Sequence, residues 1–363
     1  MLTRANEVKT IQTCQVQTCQ VQIGGRPVGP GAPAFIIAEA GSNHDGRFGQ
    51  AVRLINAAAM AGADAVKFQA FNLDRFIARE AYQQALGSDD TSWLEQTRAA
   101  ELPIAWLPRL AAHCREAGAA FLATPFDAEA ADALERAGAP AFKVASGDLT
   151  HLPLLRHLAR KGKPILLSTG MATMDEVAQA IEAIRGQGNQ EIALLHCVVA
   201  YPAQARDTNL ACLVTMREAF GLPVGLSDHT LGIEVAIAAA ALGASVVEKH
   251  FTLDRRLIGP DHGYALEPDE LGDMVAAIRR VESALGSGEK RPLEIEAEEL
   301  RLSRRGAVAA CDIAPGAPIQ EAMVEFVRPA AGIAPAGLHA LIGRRARSHI
   351  RKGEVLTWDR LSA

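Results

Sequence analysis

The sequence predicts an α/β protein: a (β/α)8 barrel followed by a small, mostly β domain. From about residue 35 to residue 285, short apolar runs alternate with amphipathic segments, as expected for parallel strands covered by helices. After about residue 303 the pattern changes to short strands and tight turns. The length of 363 residues accommodates one large barrel and one small appended domain.

The composition indicates a globular protein and argues against several classes of function. Hydrophobic residues make up 49% of the chain, whereas the net charge of -5 and the 5% aromatic content argue against a nucleic-acid partner. No apolar run approaches the length of a membrane span, and the N-terminus lacks an apolar signal segment. Six cysteines without CxxC pairs indicate reduced thiols, and we therefore expect a cytoplasmic protein.

The chain divides into four parts by composition. Residues 1–20 are a polar extension with a tandem repeat, QTCQVQ followed by TCQVQ, which predicts either disorder or an over-extended start. Residues 21–286 form the barrel domain and begin with VQIGGRPVG, a predicted hairpin that could plug one barrel end. Residues 287–302 are a linker whose acidic part, Glu294–Leu300, is helical in pattern, and residues 303–363 form the small domain.

Eight apolar runs of strand length alternate with helical segments in the barrel domain. An insertion after the second run, Asn72–Glu101, is long enough to act as a lid or a binding loop. The runs are Phe35–Glu39, Ala63–Gln69, Ala119–Thr124, Ala141–Ala145, Pro164–Thr169, Glu191–His196, Pro223–Ser227 and Ser245–His250. The helical segments are Gly49–Ala61, Leu107–Ala117, Ala128–Ala137, Leu152–Lys161, Met174–Arg185, Asn209–Ala219, Ile233–Leu242 and Pro268–Leu285.

Polar side chains collect at the C-terminal ends of these runs, where the active sites of (β/α)8 barrels lie. The opposite ends carry mainly Gly, Ala and Pro, and this asymmetry indicates an enzyme. The strand-end residues are Glu39, Asn43, His44, Lys67, Gln69, Thr124, Lys143, Ser146, Asp148, Ser168, Thr169, His196, Tyr201, Ser227, Asp228, His229, Glu248 and His250.

Two strand-end histidines, His229 and His250, point to a divalent metal. Each follows an apolar run and has an acidic neighbour, and two neighbouring parallel strands would bring both to the same edge. Either histidine alone could simply fill its own strand end. Imidazole and oxygen ligands suit Mn²⁺, although the residues do not choose between it and Zn²⁺, Co²⁺ or Fe²⁺.

Strand-end hydroxyls and lysines indicate a small dianionic substrate. Ser146, Ser168 and Ser227 lie at strand-to-helix turns, where hydroxyls and free backbone N–H groups hold anions. Lys67 and Lys143 would supply the charge that a phosphate and a carboxylate need. Among the remaining groups, Glu39 is a candidate general base, and Asp261 could hold a polyol.

The motifs in this order resemble the sialic acid synthase (N-acetylneuraminate synthase) family, and the last 60 or so residues resemble its antifreeze-like (β-clip) domain. The motifs are FIIAEAGSNHDG, DAVKFQ, FLATPFD, FKVASGD, PILLSTGM, LLHC, GLSDHT, EKHFT and GPDH. The resemblance implies a TIM barrel that condenses phosphoenolpyruvate with an N-acylated aldose. The implied products are a nine-carbon 2-keto acid and phosphate.

The resemblance also implies a role for each matching residue. His229 and His250 would ligate Mn²⁺, Glu39 would be the base, and Tyr201 and Asp261 would contact the sugar. Arg328 matches an arginine that reaches from the small domain into the barrel of the other subunit, which implies a domain-swapped homodimer. The implied phosphoenolpyruvate contacts are Lys67, Thr124, Lys143, Ser146, Ser168 and Ser227.

Two positions depart from the family pattern. Val198-Val199-Ala200 stands where the synthases usually have Thr-Asn or Thr-Ser. Ser88 stands near the sequence position at which members that use N-acetylmannosamine have an asparagine. Fewer polar contacts would favour a more apolar sugar, such as a 6-deoxy-diacetamido hexose of the legionaminic or pseudaminic type.

Two other readings stay open at this point. A Schiff-base aldolase would use Lys143 or Lys67 as the nucleophile and would need no metal. A non-catalytic sugar-binding relative would rely on the small domain, but it leaves the polar strand ends of the barrel unexplained.

Overall fold

A computed structural model describes residues 20–87 and 91–363, which form two compact units. The first unit ends at Gly286, and the second is Ser287–Ala363. The predicted N-terminal extension, apart from Gln20, lies outside the described residues. Within the described ranges, no helix combines the length and the apolar character that crossing a membrane would require.

Eight parallel strands build the barrel of the first unit, as the sequence predicts. Their spatial order is β5-β4-β3-β10-β9-β8-β7-β6, and β5 and β6 lie side by side, so the sheet nearly closes. The strands are β3 Phe35–Gly41, β4 Ala65–Ala70, β5 Ala120–Pro125, β6 Phe142–Val144, β7 Ile165–Ser168, β8 Ile192–Cys197, β9 Val224–Asp228 and β10 Val246–His250.

One helix of the outer layer follows each barrel strand. The sequence placed the start of α9 at Asn209, three residues too early, because Asn209 has a φ of 44° and cannot occupy a helical turn. These helices are α1 Phe48–Met60, α5 Leu107–Glu116, α6 Ala128–Arg136, α7 Leu152–Ala159, α8 Met174–Arg185, α9 Cys212–Phe220, α10 Glu234–Ala241 and α11 Pro268–Leu285.

Two apolar layers explain why the strands read as continuous apolar runs. Residues that point outward, such as Ile36 and Val247, pack in the large cluster shared with the helices. Residues that point inward, such as Phe35 and Val246, form a separate cluster in the barrel interior. Because a strand alternates its two faces, both layers take residues from every second position.

A short hairpin covers the N-terminal end of the barrel, as the sequence predicted. Strands β1 (Val21–Ile23) and β2 (Arg26–Val28) pair antiparallel around Gly24 and Gly25, whose φ angles are 59° and 82°. Glycine adopts this left-handed region without the steric penalty of a side chain. Val21, Ile23 and Val28 belong to the cluster of the barrel interior, so the hairpin closes it from below.

The insertion after β4 folds into three short helices. They are α2 Leu73–Phe76, α3 Arg79–Leu86 and α4 Ser92–Ala99. Ser88, which the sequence analysis named as a departure from the family pattern, lies outside the described residues, between α3 and α4.

The second unit consists of short strands and turns with an internal repeat. Its strands are β11 Gly306–Ala309, β12 Val324–Val327, β13 Arg345–Ala346 and β14 Leu361–Ser362, and its helices are α12 Ala297–Ser303 and α13 Leu338–Leu341. The repeated segments are residues 312–319 (DIAPGAPI) and 349–356 (HIRKGEVL). They face each other, because Ile313 and Ile350 exchange backbone hydrogen bonds of 2.8 and 3.0 Å. Gly316 and Gly353 take equivalent turns with φ of 80° and 83°.

Candidate active site

On every barrel strand, the inward-facing residues are small or apolar until near the C-terminal end. The next inward-facing residue, two positions further on, is polar or ionisable. On β10, for example, Val246 packs in the interior cluster, whereas Glu248 lines a cavity above it. These polar or ionisable residues are Glu39, Lys67, Thr124, Lys143, Ser168, Cys197, Ser227 and Glu248. The barrel therefore gathers eight side chains with donor, acceptor or nucleophilic atoms from eight strands around one space.

This space is a cavity at the C-terminal end of the barrel that opens to solvent, and its empty volume is about 510 Å³ with the open part included. Its wall is polar on the side of the strands. Met171, Val199 and Phe126 contribute apolar surface to it. Further lining residues beyond those eight are Gln69, Ser146, Tyr201, His229 and His250.

Four buried charges form the floor of the cavity. Lys67 Nζ lies 2.8 Å from Glu39 Oε2 and 3.7 Å from Glu248 Oε1. Lys143 Nζ lies 3.6 Å from the same Glu248 oxygen. All four side chains are nearly inaccessible to solvent. Each charge therefore depends on its neighbours rather than on water for stabilisation.

Burial and these neighbours shift the pKa values of the four groups. Burial raises the pKa of Glu39, despite the opposing effect of Lys67. Burial lowers the pKa of Lys143, although Glu248 opposes the shift. Burial disfavours charge on Glu248 and on Lys67 as well. The two lysines nevertheless hold the pKa of Glu248 below its ordinary value, and the two carboxylates raise that of Lys67.

Hydroxyl groups surround the two lysines. Lys67 Nζ donates to Thr124 Oγ1 over 3.2 Å, and Lys143 Nζ donates to Ser168 Oγ over 2.7 Å. Ser227 Oγ donates to Glu248 Oε1 over 3.1 Å. These hydroxyls can turn toward an anion that replaces a carboxylate beside the lysines.

Ser146 begins a single 3-10 turn, Ser146–Asp148, after β6 and lines the cavity. Its Oγ accepts a 3.0 Å hydrogen bond from the backbone N–H of Gly170. A Cβ at Gly170 would lie 2.6 Å from Val199 Cγ2 and 2.8 Å from Ser146 Oγ, so only glycine leaves room for this approach. The STGM segment therefore presents backbone next to the cavity.

His229 and His250 lie next to each other at the cavity wall, with ring centroids 5.4 Å apart. His229 Nδ1 donates to the backbone oxygen of Val198 over 2.8 Å, because a carbonyl can only accept. The neutral ring then keeps its Nε2 lone pair for a ligand. Buried His250 Nδ1 has no hydrogen-bond partner within the described part of the chain, and burial lowers the pKa of this histidine.

The two imidazoles suit a divalent ion as part of its coordination shell. Among residues 20–87 and 91–363, no group of three or more His, Cys, Asp or Glu side chains is arranged to hold a metal. Water and substrate oxygens would then complete the shell, which is typical of a catalytic rather than a structural ion.

Asp261 and Tyr201 flank the histidines. Asp261 Oδ2 lies 3.8 Å from His250 Nδ1, and Asp261 Oδ1 accepts a 2.7 Å hydrogen bond from the Tyr264 hydroxyl. The half-exposed Tyr201 ring packs against the His229 ring, with the centroids 4.3 Å apart and the planes tilted by 48°. Aromatic and carboxylate groups at an open edge suit recognition of a sugar ring and its hydroxyls.

The structure brings together eleven of the twelve residues that the sequence predicted for the site. Ten line the cavity, and Asp261 is adjacent to it. Arg328 lies exposed after β12 in the second unit, and its predicted role in a partner's barrel stays a prediction.

Several other polar strand-end residues do not line the cavity. Asn43 Nδ2 donates to the backbone oxygen of Phe251 over 2.9 Å, and His196 Nε2 donates to that of Thr208 over 2.6 Å. A position near a strand end does not by itself determine the face on which a side chain lies. The strand-end residues outside the cavity are Asn43, His44, Asp148, Thr169, His196 and Asp228.

Sequence reasoning gave no role to Glu248, which contacts both lysines of the cavity. A usable signal was present, because Glu248 precedes His250 by two residues and so shares its face of the strand. Gln69 and Cys197 show the same signal, because they follow the inward-facing Lys67 and Leu195 by two residues. Gln69 Nε2 donates to Glu39 Oε1 over 3.0 Å.

Fold and site together define a (β/α)8-barrel protein with a buried, charge-compensated cavity that suits a small anion and a polyol. The NeuB family model matches residues 54–290, and a SAF domain model matches residues 304–362. The chain belongs to the NeuB family, and its small β unit is a SAF domain, which confirms the resemblance seen in the sequence.

Three comparisons place the chain among sugar acid synthases. It is 40% identical over 327 residues to N,N'-diacetyllegionaminic acid synthase of Campylobacter jejuni, covering 88% of this chain and 98% of that protein. It is 38% identical over 276 residues to mouse N-acetylneuraminate-9-phosphate synthase, covering 75% and 77%. The crystal structure of N-acetylneuraminic acid synthetase from Leptospira borgpetersenii, in complex with citrate, matches with a TM-score of 0.70 and 34% identity, covering 78% and 95%.

Proposed function

We propose that the barrel condenses phosphoenolpyruvate with an N-acylated aldose and releases phosphate, forming a nine-carbon 2-keto sugar acid. The observation that carries this proposal is one cavity with two buried lysines on its floor and two adjacent histidines on its wall. The first pair suits the dianion, and the second could hold a divalent ion that would polarise an aldehyde. The synthases named among the relatives support the same class of reaction.

The lysine side of the cavity would bind phosphoenolpyruvate. Lys67 and Lys143 would neutralise its phosphate and carboxylate, and the hydroxyls of Thr124, Ser168 and Ser227 would donate hydrogen bonds to its oxygens. Ser146 would hold the loop at Gly170 against the bound anion. Because the site is buried, each of these interactions is stronger than it would be in water.

The reaction forms one C–C bond and one C–O bond, and it breaks the C–O bond to phosphate. Carbon 3 of phosphoenolpyruvate attacks the aldehyde carbon of the sugar, and the oxygen of water adds at carbon 2. The two protons of water end on the aldehyde oxygen, which becomes a hydroxyl, and on the released phosphate. The C–O bond to phosphate breaks, so phosphate leaves with the bonding electrons and carbon 2 becomes the keto carbon. Glu39 would accept the proton lost by water, because burial raises its pKa toward the range of a useful base.

His229 and His250 would hold the divalent ion, Mn²⁺ or a similar one, which supplies Lewis-acid polarisation of the aldehyde. The Val198 carbonyl fixes the His229 ring through Nδ1. Asp261, next to His250, would orient the sugar hydroxyls.

The apolar part of the cavity wall favours a 6-deoxy-diacetamido hexose over N-acetylmannosamine. Val199 replaces a polar residue that could bond a sugar hydroxyl, and Met171 and Phe126 add further apolar surface. A methyl group loses no hydrogen bond against such a wall, whereas a hydroxyl does. The legionaminic acid synthase among the relatives is consistent with this choice.

Lys143 supports a second candidate function, a Schiff-base aldolase. Its lowered pKa increases the fraction of free amine, which is the nucleophilic form. Its bonds to Ser168 and its proximity to Glu248 instead favour the ammonium form that holds an anion.

Phosphate release from phosphoenolpyruvate tests the proposal. The assay uses Mn²⁺ with either N-acetylmannosamine or 6-deoxy-diacetamido hexoses, with and without EDTA. We expect EDTA-sensitive turnover that Lys143→Met abolishes. The matched control is Lys163→Met. Lys163 lies just before β7 and donates to the backbone oxygen of Ala139, so its loss should leave activity unchanged.

Two outcomes would contradict the synthase. Borohydride trapping of pyruvate on Lys143, together with activity in EDTA, would establish the aldolase. Absence of phosphate release with every sugar, from folded and metal-loaded protein, would overturn the proposal.

A further inference from the structure

Asp228 and Lys249 form a buried ion pair on the outer face of the barrel. Lys249 Nζ lies 2.7 Å from Asp228 Oδ2, and the two side chains are 2% and 0% exposed, respectively. Asp228 Oδ1 accepts hydrogen bonds from the backbone N–H and the hydroxyl of Thr230, over 2.9 and 2.8 Å. Lys249 Nζ also donates to the backbone oxygen of Thr230.

Each residue of the pair lies in sequence between two residues that line the cavity. Asp228 stands between Ser227 and His229, and Lys249 stands between Glu248 and His250. Since neighbouring strand residues face opposite sides, the pair joins β9 to β10 directly behind the two histidines.

Stability alone does not explain why charged residues occupy these positions. A buried ion pair loses the hydration of both ions, and well-packed apolar residues of similar volume are often equally or more stabilising. Val247 on the same outer face of β10 is apolar and packs in the large cluster. The pair provides directional bonds, which tie the turn after His229 to the residue before His250.

Both histidines depend on the elements that this pair joins. The His229 backbone oxygen accepts from the Ala203 N–H over 2.9 Å. Its ring Nδ1 contacts the Val198 carbonyl and Cys197 Sγ, and the Tyr201 ring packs against it. His250 Nδ1 has no hydrogen-bond partner in the described residues. Its ring packs against Tyr264 and lies 3.8 Å from Asp261, and the end of β10 sets where the ring begins.

We propose that Asp228 and Lys249 are positioning residues that hold His229 and His250 at the separation and orientation a divalent ion requires. The inference rests on the proposed function. It assigns the pair no contact with substrate, and it predicts a defect confined to metal and aldose binding.

A charge-neutral double variant tests the pair. Asp228→Asn with Lys249→Met keeps the net charge, and the asparagine oxygen can still accept from Thr230. The matched control is Asp64→Asn with Arg279→Met, which removes a 3.2 Å ion pair at the strand starts, remote from the cavity. Thr230→Val, which removes only the hydroxyl that donates to Asp228 Oδ1 and leaves the ion pair in place, serves as a milder variant if the double variant does not fold.

Calorimetry measures the Mn²⁺ affinity of each protein, and phosphoenolpyruvate affinity is measured without metal. We expect the Asp228/Lys249 variant to lose on the order of 10-fold in Mn²⁺ affinity, as for groups that orient metal ligands. Its phosphoenolpyruvate affinity should stay at the wild-type value, and its KM for the aldose should rise. The control should keep wild-type Mn²⁺ affinity, even with a lower Tm.

The possible results distinguish the positioning role of the pair from the metal part of the proposed function. Wild-type Mn²⁺ affinity in the Asp228/Lys249 variant, or an equal loss in the control, overturns the positioning role alone. A wild-type protein that binds phosphoenolpyruvate but no divalent ion overturns the metal part of the proposed function, and this inference with it.

Discussion

Replacing Glu248 by glutamine should destabilise the barrel strongly, although the two side chains have nearly the same shape. Glu248 Oε1 is 3.7 Å from Lys67 Nζ and 3.6 Å from Lys143 Nζ. The glutamine leaves two buried ammonium groups with Glu39 as the nearest remaining counter-charge. The perturbation therefore changes charge while it preserves volume.

The distances give the size of the effect. At an effective dielectric constant of about 20, each pair at this separation contributes roughly 4–5 kcal/mol of Coulomb attraction. The variant recovers part of this loss, because Lys143, whose pKa burial already lowers, can release its proton. We expect a net loss of about 3–5 kcal/mol in the free energy of unfolding, as for other broken buried pairs.

Urea unfolding at about pH 7 and about pH 9 measures the loss and its pH dependence. In Glu248→Gln the folded-state pKa of Lys143 falls further below the unfolded value. Between these two pKa values the unfolded chain binds more protons, so stability rises with pH across this window. The deficit of the variant should therefore be larger at the lower pH.

Two comparisons make this prediction refutable. Glu182→Gln removes an exposed carboxylate of α8 and should change stability by less than about 0.5 kcal/mol. Adding Lys143→Met to Glu248→Gln restores the charge balance and should recover a large part of the loss. A Glu248→Gln protein as stable as Glu182→Gln at both pH values would refute the description of the floor as mutually dependent charges.

Three further predictions concern space and polarity. Gly170→Ala should raise the KM for phosphoenolpyruvate, because the new Cβ would lie 2.6 Å from Val199 Cγ2, and adding Val199→Ala should reverse part of the defect. Gly225→Ala should lower the Tm, since the new Cβ would lie 2.4 Å from the Val246 carbonyl oxygen. Gly272→Ala on α11 meets open space and should stabilise the protein by about 1 kcal/mol. Equal Tm values for the two variants would contradict this prediction. Val199→Asn should shift acceptor preference toward N-acetylmannosamine, and unchanged kcat/KM ratios would remove Val199 as a determinant of sugar choice.

The positions of the strands and most helices could be predicted from the sequence. Parallel strands buried on both faces give continuous apolar runs, and amphipathic segments separate them. The early start predicted for α9 shows the limit, because the left-handed conformation of Asn209 is set by its loop and not by apolar periodicity. Eleven site residues were predicted from the strand ends together with the family resemblance, whereas Glu248 was left without a role because its two lysine partners lie on other strands.

The sequence by itself determined which chemical groups stand at the strand ends: two histidines, two lysines, several hydroxyls and Glu39. Only the tertiary structure decided which of them share a cavity, since this depends on strand order and register. Barrel closure places the last strand beside the first, so His250 is in register with Glu39. Strand alternation then directs Glu248 into the cavity and Lys249 outward to Asp228. Such pairings join residues far apart in the chain, and local sequence patterns do not encode them.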